Sequence, residues 1–281
     1  MNGNDIVAIP EIELTAFERF WSRGFIGEYL STHTFPTLLP IILLMTLGFL
    51  LAAVAAYVLG SLNVGIILST RVYKQDIREL GSKNAGATNM ARVFGGKAGL
   101  FTILGEFLKT FLCVMIGRIL FGTMGAYVSG LFAVLGQIFP LFYKFRGGKG
   151  VAATAAVMLF TNPVVFLVEF LVFVIIAGGT KFISLASIAA AFLYPVFLNS
   201  LSGPGYHNLI AIVIACLVFF RHKENMKRLW NKEERKFDFG AVFKSKKRKL
   251  REEEAARAAA EAEVAEIEAR NAADKNGASD E

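Results

Sequence analysis

Cysteine is scarce in this 281-residue chain. Cys113 and Cys216 are the only two, and they lie in different apolar runs. That excludes a disulfide framework and leaves both as small apolar packing residues. Histidine is nearly as scarce: none of His33, His207 and His222 has an aspartate five residues on. The His-x4-Asp acid–base pair of many thioester-dependent transferases is therefore absent. There is no Gly-x-Ser-x-Gly nucleophile elbow, and no Cys/His cluster has metal-ligand spacing. The first residues lack the short basic-then-apolar pattern of a cleaved signal peptide, so the first apolar run is expected to serve as the insertion signal.

What is abundant is apolar. Hydrophobic residues make up 54% of the chain, and mean hydropathy is +0.51, too high for an ordinary soluble domain. The 26 Phe and 26 Gly suit lipid-facing and closely packed helices. Apolar runs fall at 38–60, 98–121, 124–142, 150–160, 163–178, 183–199 and 208–220. The first three approach the roughly 20 residues that cross a bilayer unaided. The others are short and suit tilted or enclosed helices. The fold class expected is an all-α polytopic membrane protein with about seven transmembrane helices.

Charge sets the orientation. With the 61–97 loop inside, 26 of the 30 Lys and Arg residues fall in inside segments. The outside connections at 122–123, 161–162 and 200–207 carry none. The N-terminus is then outside and the C-terminus cytoplasmic. Three regions follow: an extracytoplasmic leader at 1–37, a membrane core at 38–237, and a tail at 238–281. The leader places Leu14, Phe17, Phe20, Trp21 and Phe25 at near-helical spacing, which suits an interfacial helix or a loose leader. The tail holds the basic run 244–249 and then an Ala/Glu-rich stretch, read as solvated or resting on anionic headgroups.

Two inside loops have the chemistry of anion sites. The first runs from Gly81 to Arg92 and includes Ser82, Asn84, Gly86, Thr88 and Asn89. Glycine frees backbone N–H groups to turn inward, the polar side chains add donors, and Arg92 can grip a phosphate bidentately. The second is Arg146-Gly147-Gly148-Lys149-Gly150. It resembles part of a Walker A loop, but Tyr143 stands at the first glycine and Gly150 at the magnesium-binding Ser/Thr. Nucleotide hydrolysis is a poor reading. Gly95-Gly96-Lys97 echoes it, and both precede a helix whose N-terminus suits phosphate. Glu106 and Lys109 lie one turn apart within a span and are expected to neutralise each other. His222 and Asn225 share a helix face just inside the last run and could reach a substrate.

Together these residues resemble the bacterial acyl-phosphate:glycerol-3-phosphate acyltransferases, the PlsY family. The resemblance covers roughly 55–237. It rests on Gly60-Ser61-Leu62-Asn63-Val64-Gly65 with the 81–92 loop, on Gly136-Gln137-Ile138-Phe139-Pro140 leading to 144–152, and on 222–229. It implies a seven-helix bacterial plasma-membrane enzyme with its active site on the cytoplasmic side. Such an enzyme transfers a fatty acyl group from acyl phosphate to glycerol 3-phosphate, giving lysophosphatidic acid and phosphate in the first step of phospholipid synthesis. Ser82, Lys149 and His222 are the catalytic residues so implied. Asn84, Gly86, Asn89, Arg92, Gly147, Gly148 and Asn225 are the binding residues. No cofactor, metal or nucleic acid is expected; membrane lipids and other phospholipid-synthesis enzymes are the expected partners. The family usually has His where this chain has Gln137, which cannot act as a base. A transporter for a phosphorylated metabolite, and an inactive lipid-binding relative, are the other readings of the same loops.

Overall fold

The structure, a computed structural model, describes residues 15–33, 38–240 and 261. The basic run at 244–249 and most of the Ala/Glu-rich stretch lie outside the described residues, as does Leu14. The chain divides into two compact units, 1–237 and 238–281. Every described element of the first is helical. Its order is α1 (Ala16–Thr32), α2 (Leu39–Gly60), α3 (Val64–Arg71), α4 (Ala87–Phe94), α5 (Gly96–Ile138), α6 (Val151–Thr161), α7 (Pro163–Thr180), α8 (Ile183–Ser202), α9 (Tyr206–Arg221) and α10 (Lys223–Trp230).

Four helical stretches are long and apolar enough to cross a membrane: 39–71, 96–143, 163–180 and 183–202. α5 has 43 residues, about 65 Å of helix, twice the roughly 30 Å of a bilayer core. It is not straight. Gly122, at φ 61°, breaks it beside Phe121. A Cβ on Gly117 would lie 2.2 Å from the Gly125 carbonyl oxygen, so the chain doubles back there as a helical hairpin. The two apolar runs read at 98–121 and 124–142 are its two arms. α6 and α9 are apolar but shorter, at 11 and 16 residues.

The second arm of α5 forms the centre of the bundle. Ala126, Val134 and Ile138 pack with Val157 of α6, Leu198 of α8 and Ile214 of α9. Small residues let α2 cross this arm closely: a Cβ on Gly136 would sit 2.4 Å from the Tyr57 carbonyl oxygen, and one on Gly60 2.6 Å from that of Ala133. In lipid, such backbone contact replaces the hydrophobic drive that water supplies elsewhere. The outer faces are lined by exposed Leu43, Leu104, Leu171 and Phe192, the surface an acyl-chain solvent accepts.

α1 begins with a capping box in which Thr15 and Glu18 satisfy each other's backbone N–H groups. It packs on the α5 hairpin. A Cβ on Gly24 would meet the Gly122 nitrogen at 2.3 Å, and the Arg118 guanidinium lies 4.9 Å from the centre of the Trp21 ring. The leader helix thus packs on the core through these contacts.

Candidate active site

The two glycine loops meet at one end of the bundle. The first is built around Asn89, which is 1% exposed. Its Oδ1 accepts from the Ser82 backbone N–H at 2.9 Å, and its Nδ2 faces the carbonyls of Ile77, Leu80 and Asn84. Asn89 was expected to bind substrate, but its amide is spent on holding the loop. Gly81, at φ 58°, is required beside it, because a Cβ there would lie 2.4 Å from Asn89 Oδ1. The result leaves the Ser82 hydroxyl and the Asn84 side chain on the cleft wall. Gly86 caps α4, whose second turn carries Arg92 into the same cleft.

The second loop is pinned from both sides. The Gly148 N–H donates to the Gln137 carbonyl at 3.1 Å. Arg221 reaches the carbonyls of Gly148 and Gly147 at 3.2 and 3.3 Å. A Cβ on Gly147 would lie 2.2 Å from the Gln137 carbonyl oxygen, so only glycine fits. One on Gly148 would come within 3.3 Å of the Ala85 carbonyl oxygen, which places the loops in contact. Arg78 adds a tie, holding Asp76 at 2.6 Å and the Tyr143 carbonyl at 3.1 Å.

Lys149 projects from this loop to Asn225 Oδ1. Asn225 in turn donates to Glu234 Oε1 at 2.6 Å. Ser184 donates to the same oxygen at 2.7 Å, and Arg228 to Oε2 at 2.7 Å. Burial pushes the Lys149 ammonium down to about 8; Glu234 opposes that, while Arg228, Arg221 and Arg92 reinforce it. Burial, then the nearby Arg235, also lower Arg92. Arg92 has no hydrogen-bond partner among the described residues. An anion between Arg92 and Lys149 would relieve both.

His222 is 2% exposed. Its Nδ1 lies 2.8 Å from the Val218 carbonyl, which puts the proton on that nitrogen and leaves Nε2 as the acceptor. Burial, then the Lys149 charge, push it down to about 4. It is neutral at physiological pH and a weak base.

Deeper, Lys109 pairs with Glu106 at 2.6 Å, as the one-turn spacing leads one to expect. It also donates to Gln137 Oε1 at 2.6 Å and to the Gly60 carbonyl at 2.9 Å, while Glu106 Oε1 accepts from the Val64 N–H at 3.0 Å. The acceptor that Gln137 offers Lys109 needs no basic nitrogen. This network joins the arms of α5 to the start of α3.

The mouth and the depth form one cleft of about 790 Å³. Ser82, Asn84, Gly86, Asn89, Arg92, Gly148, Lys149, His222 and Asn225 all line it; Gly147 shapes it from behind. Gly95, Gly96 and Lys97 do not. Gly95 instead ends α4 at φ 93° and precedes α5, and Gly99 gives room to Ala91. Sequence reasoning missed Glu234, Arg221 and Ser184. The one acidic signal near them, Glu233-Glu234 within a basic stretch, looks like ordinary solvated charge. No cluster of metal-ligating side chains is present among the described residues.

A family model described as glycerol-3-phosphate acyltransferase matches residues 50–232. The glycerol-3-phosphate acyltransferase of Finegoldia magna is 39% identical over 188 residues, 66% of this chain and 95% of the relative. That of Bacillus subtilis is 38% identical over 186 residues, 66% of this chain and 96% of the relative. Among solved structures, the crystal structure of PlsY (YgiH), an integral membrane glycerol 3-phosphate acyltransferase, in its glycerol 3-phosphate form is 36% identical. It superposes with a TM-score of 0.66 over 70% of this chain and 99% of that one. Its lysophosphatidic acid form gives 0.63 over 69% of this chain and 97% of that one. Since the family model runs from within α2 to the end of α10 and takes in both glycine loops, the chain belongs to the glycerol-3-phosphate acyltransferase family.

Proposed function

We propose that this chain transfers a fatty acyl group from acyl phosphate to the 1-hydroxyl of glycerol 3-phosphate, releasing lysophosphatidic acid and phosphate. The observation that carries the reading is the two-part cleft. Its mouth gathers Arg92 and Lys149 for phosphate groups, and its interior is apolar and lies between helices. A phosphate-headed, acyl-tailed molecule has both halves.

Acyl phosphate is a mixed anhydride, already activated. The glycerol 3-phosphate hydroxyl attacks the carbonyl, a tetrahedral oxyanion forms, and the bond to the phosphate oxygen breaks. Holding two anions together and stabilising the departing charge is the catalytic task. Lys149 and Arg92 serve it, and Ser82 with the 81–86 backbone cradles the remaining anion. The released proton has two acceptors to choose between. His222 is held near 4, whereas a phosphate has a second pKa of about 6. The phosphate is the stronger base, which assigns the proton to the leaving group and leaves His222 a hydrogen-bonding role through Nε2. No covalent nucleophile or cofactor is needed.

The seven apolar helical segments make seven crossings of a bacterial plasma membrane, with the N-terminus outside and the cleft mouth cytoplasmic. The positive-inside bias supports this. The membrane core ends near 237, and the tail beyond it plays no part in the chemistry. Other enzymes of phospholipid synthesis are the natural protein partners, since the product is a lipid for further acylation.

The transporter reading uses the same basic loops, but transporters place their substrate near the midplane, and here Arg92 and Lys149 sit at one end. Sealed liposomes containing the protein separate the two. With labelled glycerol 3-phosphate outside and palmitoyl phosphate in the bilayer, label should appear in lysophosphatidic acid. Label trapped unmodified in the lumen would identify a transporter.

A further inference from the structure

The inner wall of the cleft is apolar, with Phe107 from α5, Met158 from α6 and Phe166 and Phe173 from α7. Of the polar groups that interrupt it, two stand without partners among the described residues. Thr154 of α6 is 4% exposed, and its hydroxyl has no hydrogen-bond partner among the described residues. Glu169 of α7 is 2% exposed, and neither of its carboxyl oxygens has one. Both line the cleft. The other buried carboxylate of the spans, Glu106, is paired with Lys109; Glu169 has no cation to answer it. Buried polar atoms in folded proteins nearly always find partners. Unpartnered groups on facing helices of one cavity mark a place where a ligand atom belongs.

The depth of that place can be read from the helix. Glu169 precedes Thr180, the last residue of α7, by about eleven residues, or about 16 Å of rise. α8 starts straight after, and Ser184 in its first turn is linked through Glu234 and Asn225 to Lys149. Thr154 is the fourth residue of α6, which starts two residues after Lys149, so the two groups bracket a depth of about 5 to 16 Å inward of the glycine loop, which a zig-zag chain with C–C bonds of about 1.5 Å spans in about four to twelve carbons.

We propose that Glu169, with Thr154, selects the acyl chain, favouring one that carries a hydroxyl between about its fourth and twelfth carbons over an unbroken methylene chain of equal length. This rests on the acyl-transfer reading above. A methylene run drawn past Glu169 strips water from the carboxyl and returns no hydrogen bond. A hydroxyl at that depth donates to the carboxyl and restores the lost bond. Chains that stop short of Glu169 meet neither effect.

The test uses the purified full-length protein and lysophosphatidic acids as probes, so it does not depend on the identity of the acyl donor. Dissociation constants are measured for the stearoyl, 6-hydroxystearoyl, 9-hydroxystearoyl and 12-hydroxystearoyl forms in the wild type, Glu169→Leu, Glu169→Gln and Thr154→Val. The wild type should bind one of the hydroxylated lipids about 10-fold more tightly than the stearoyl form, the worth of one buried hydrogen bond. Glu169→Leu should erase that ratio, and Glu169→Gln, which keeps an acceptor, should retain most of it. Thr154→Val should reduce it, which keeps the comparison open if Glu169→Leu does not fold. A ratio that is the same in the wild type and every folded variant overturns the proposal and leaves acyl transfer standing. Failure of the wild type to bind any of these lipids overturns both.

Discussion

Glu234 gives the sharpest test of how the site is assembled, because its two oxygens serve three donors. Oε1 accepts from Asn225 and Ser184, and Oε2 from Arg228. Glu234→Gln keeps the shape but offers one acceptor and one donor. Whichever way the amide turns, an NH2 faces a group that also donates. The loss is one charge-assisted hydrogen bond, about 1.5–3 kcal/mol, or about 10- to 150-fold in an equilibrium or rate. Asn225 is then no longer held against Lys149, so the loss should fall on kcat/KM. A second effect is independent of geometry. Lys149 is held at about 8, with burial as the main cause and Glu234 as the charge that pulls it back up. If the ammonium must be protonated to hold phosphate, wild-type kcat/KM falls as pH rises through about 8. Removing the Glu234 charge lowers Lys149 further, so this alkaline limb moves to lower pH. The assay is initial-rate lysophosphatidic acid formation across pH 6 to 10, where about 6 and 10 bracket the shifted lysine, with Glu234→Asp as the charge-retaining control. Wild-type kcat/KM and an unmoved alkaline limb in folded Glu234→Gln would refute the reasoning.

Arg92→Lys keeps the charge but loses the planar fork, so turnover should fall by about 30- to 1000-fold, the range for one transition-state contact; near-normal turnover at wild-type protein levels would argue against bidentate phosphate binding. Lys149→Ala should abolish acyl transfer, whereas Lys97→Ala, outside the cleft, should retain it; rates of the two purified variants decide, and the reverse order would mean the wrong glycine loop was chosen. Gly136→Ala should destabilise the fold by about 1–3 kcal/mol through overpacking against Tyr57, read as a lowered thermal midpoint in detergent. Removal of 244–281 should leave turnover intact in neutral bilayers and weaken only its dependence on anionic lipid, in a salt-sensitive way.

The helices were legible because apolar length and periodicity are local properties. The break in α5 was visible as Gly122 between two apolar runs, and the structure turns the chain there. The glycine loops were legible as compositions, since few other roles call for so many glycines beside Ser, Asn and Arg. Their internal wiring was not. Asn89 reads as a donor for substrate, and only the folded loop shows its amide already consumed. Gly95-Gly96-Lys97 matches the active loop in chemistry but lies outside the cleft. Glu234 is one acidic residue in a basic stretch, and its importance arises where α8, α10 and the segment after α10 meet. Glu169 is the one charged residue of the apolar run 163–178, but which way it faces depends on the packing of α7 against its neighbours.

The central claim is that the cleft uses acyl phosphate itself to acylate glycerol 3-phosphate. The most direct measurement mixes the purified protein with glycerol 3-phosphate and either palmitoyl phosphate or palmitoyl-CoA, and follows lysophosphatidic acid by mass spectrometry alongside released phosphate. The account predicts product from palmitoyl phosphate with one phosphate released per lipid formed, and none from palmitoyl-CoA. Equal or faster product formation from palmitoyl-CoA, or no product from palmitoyl phosphate, would contradict it.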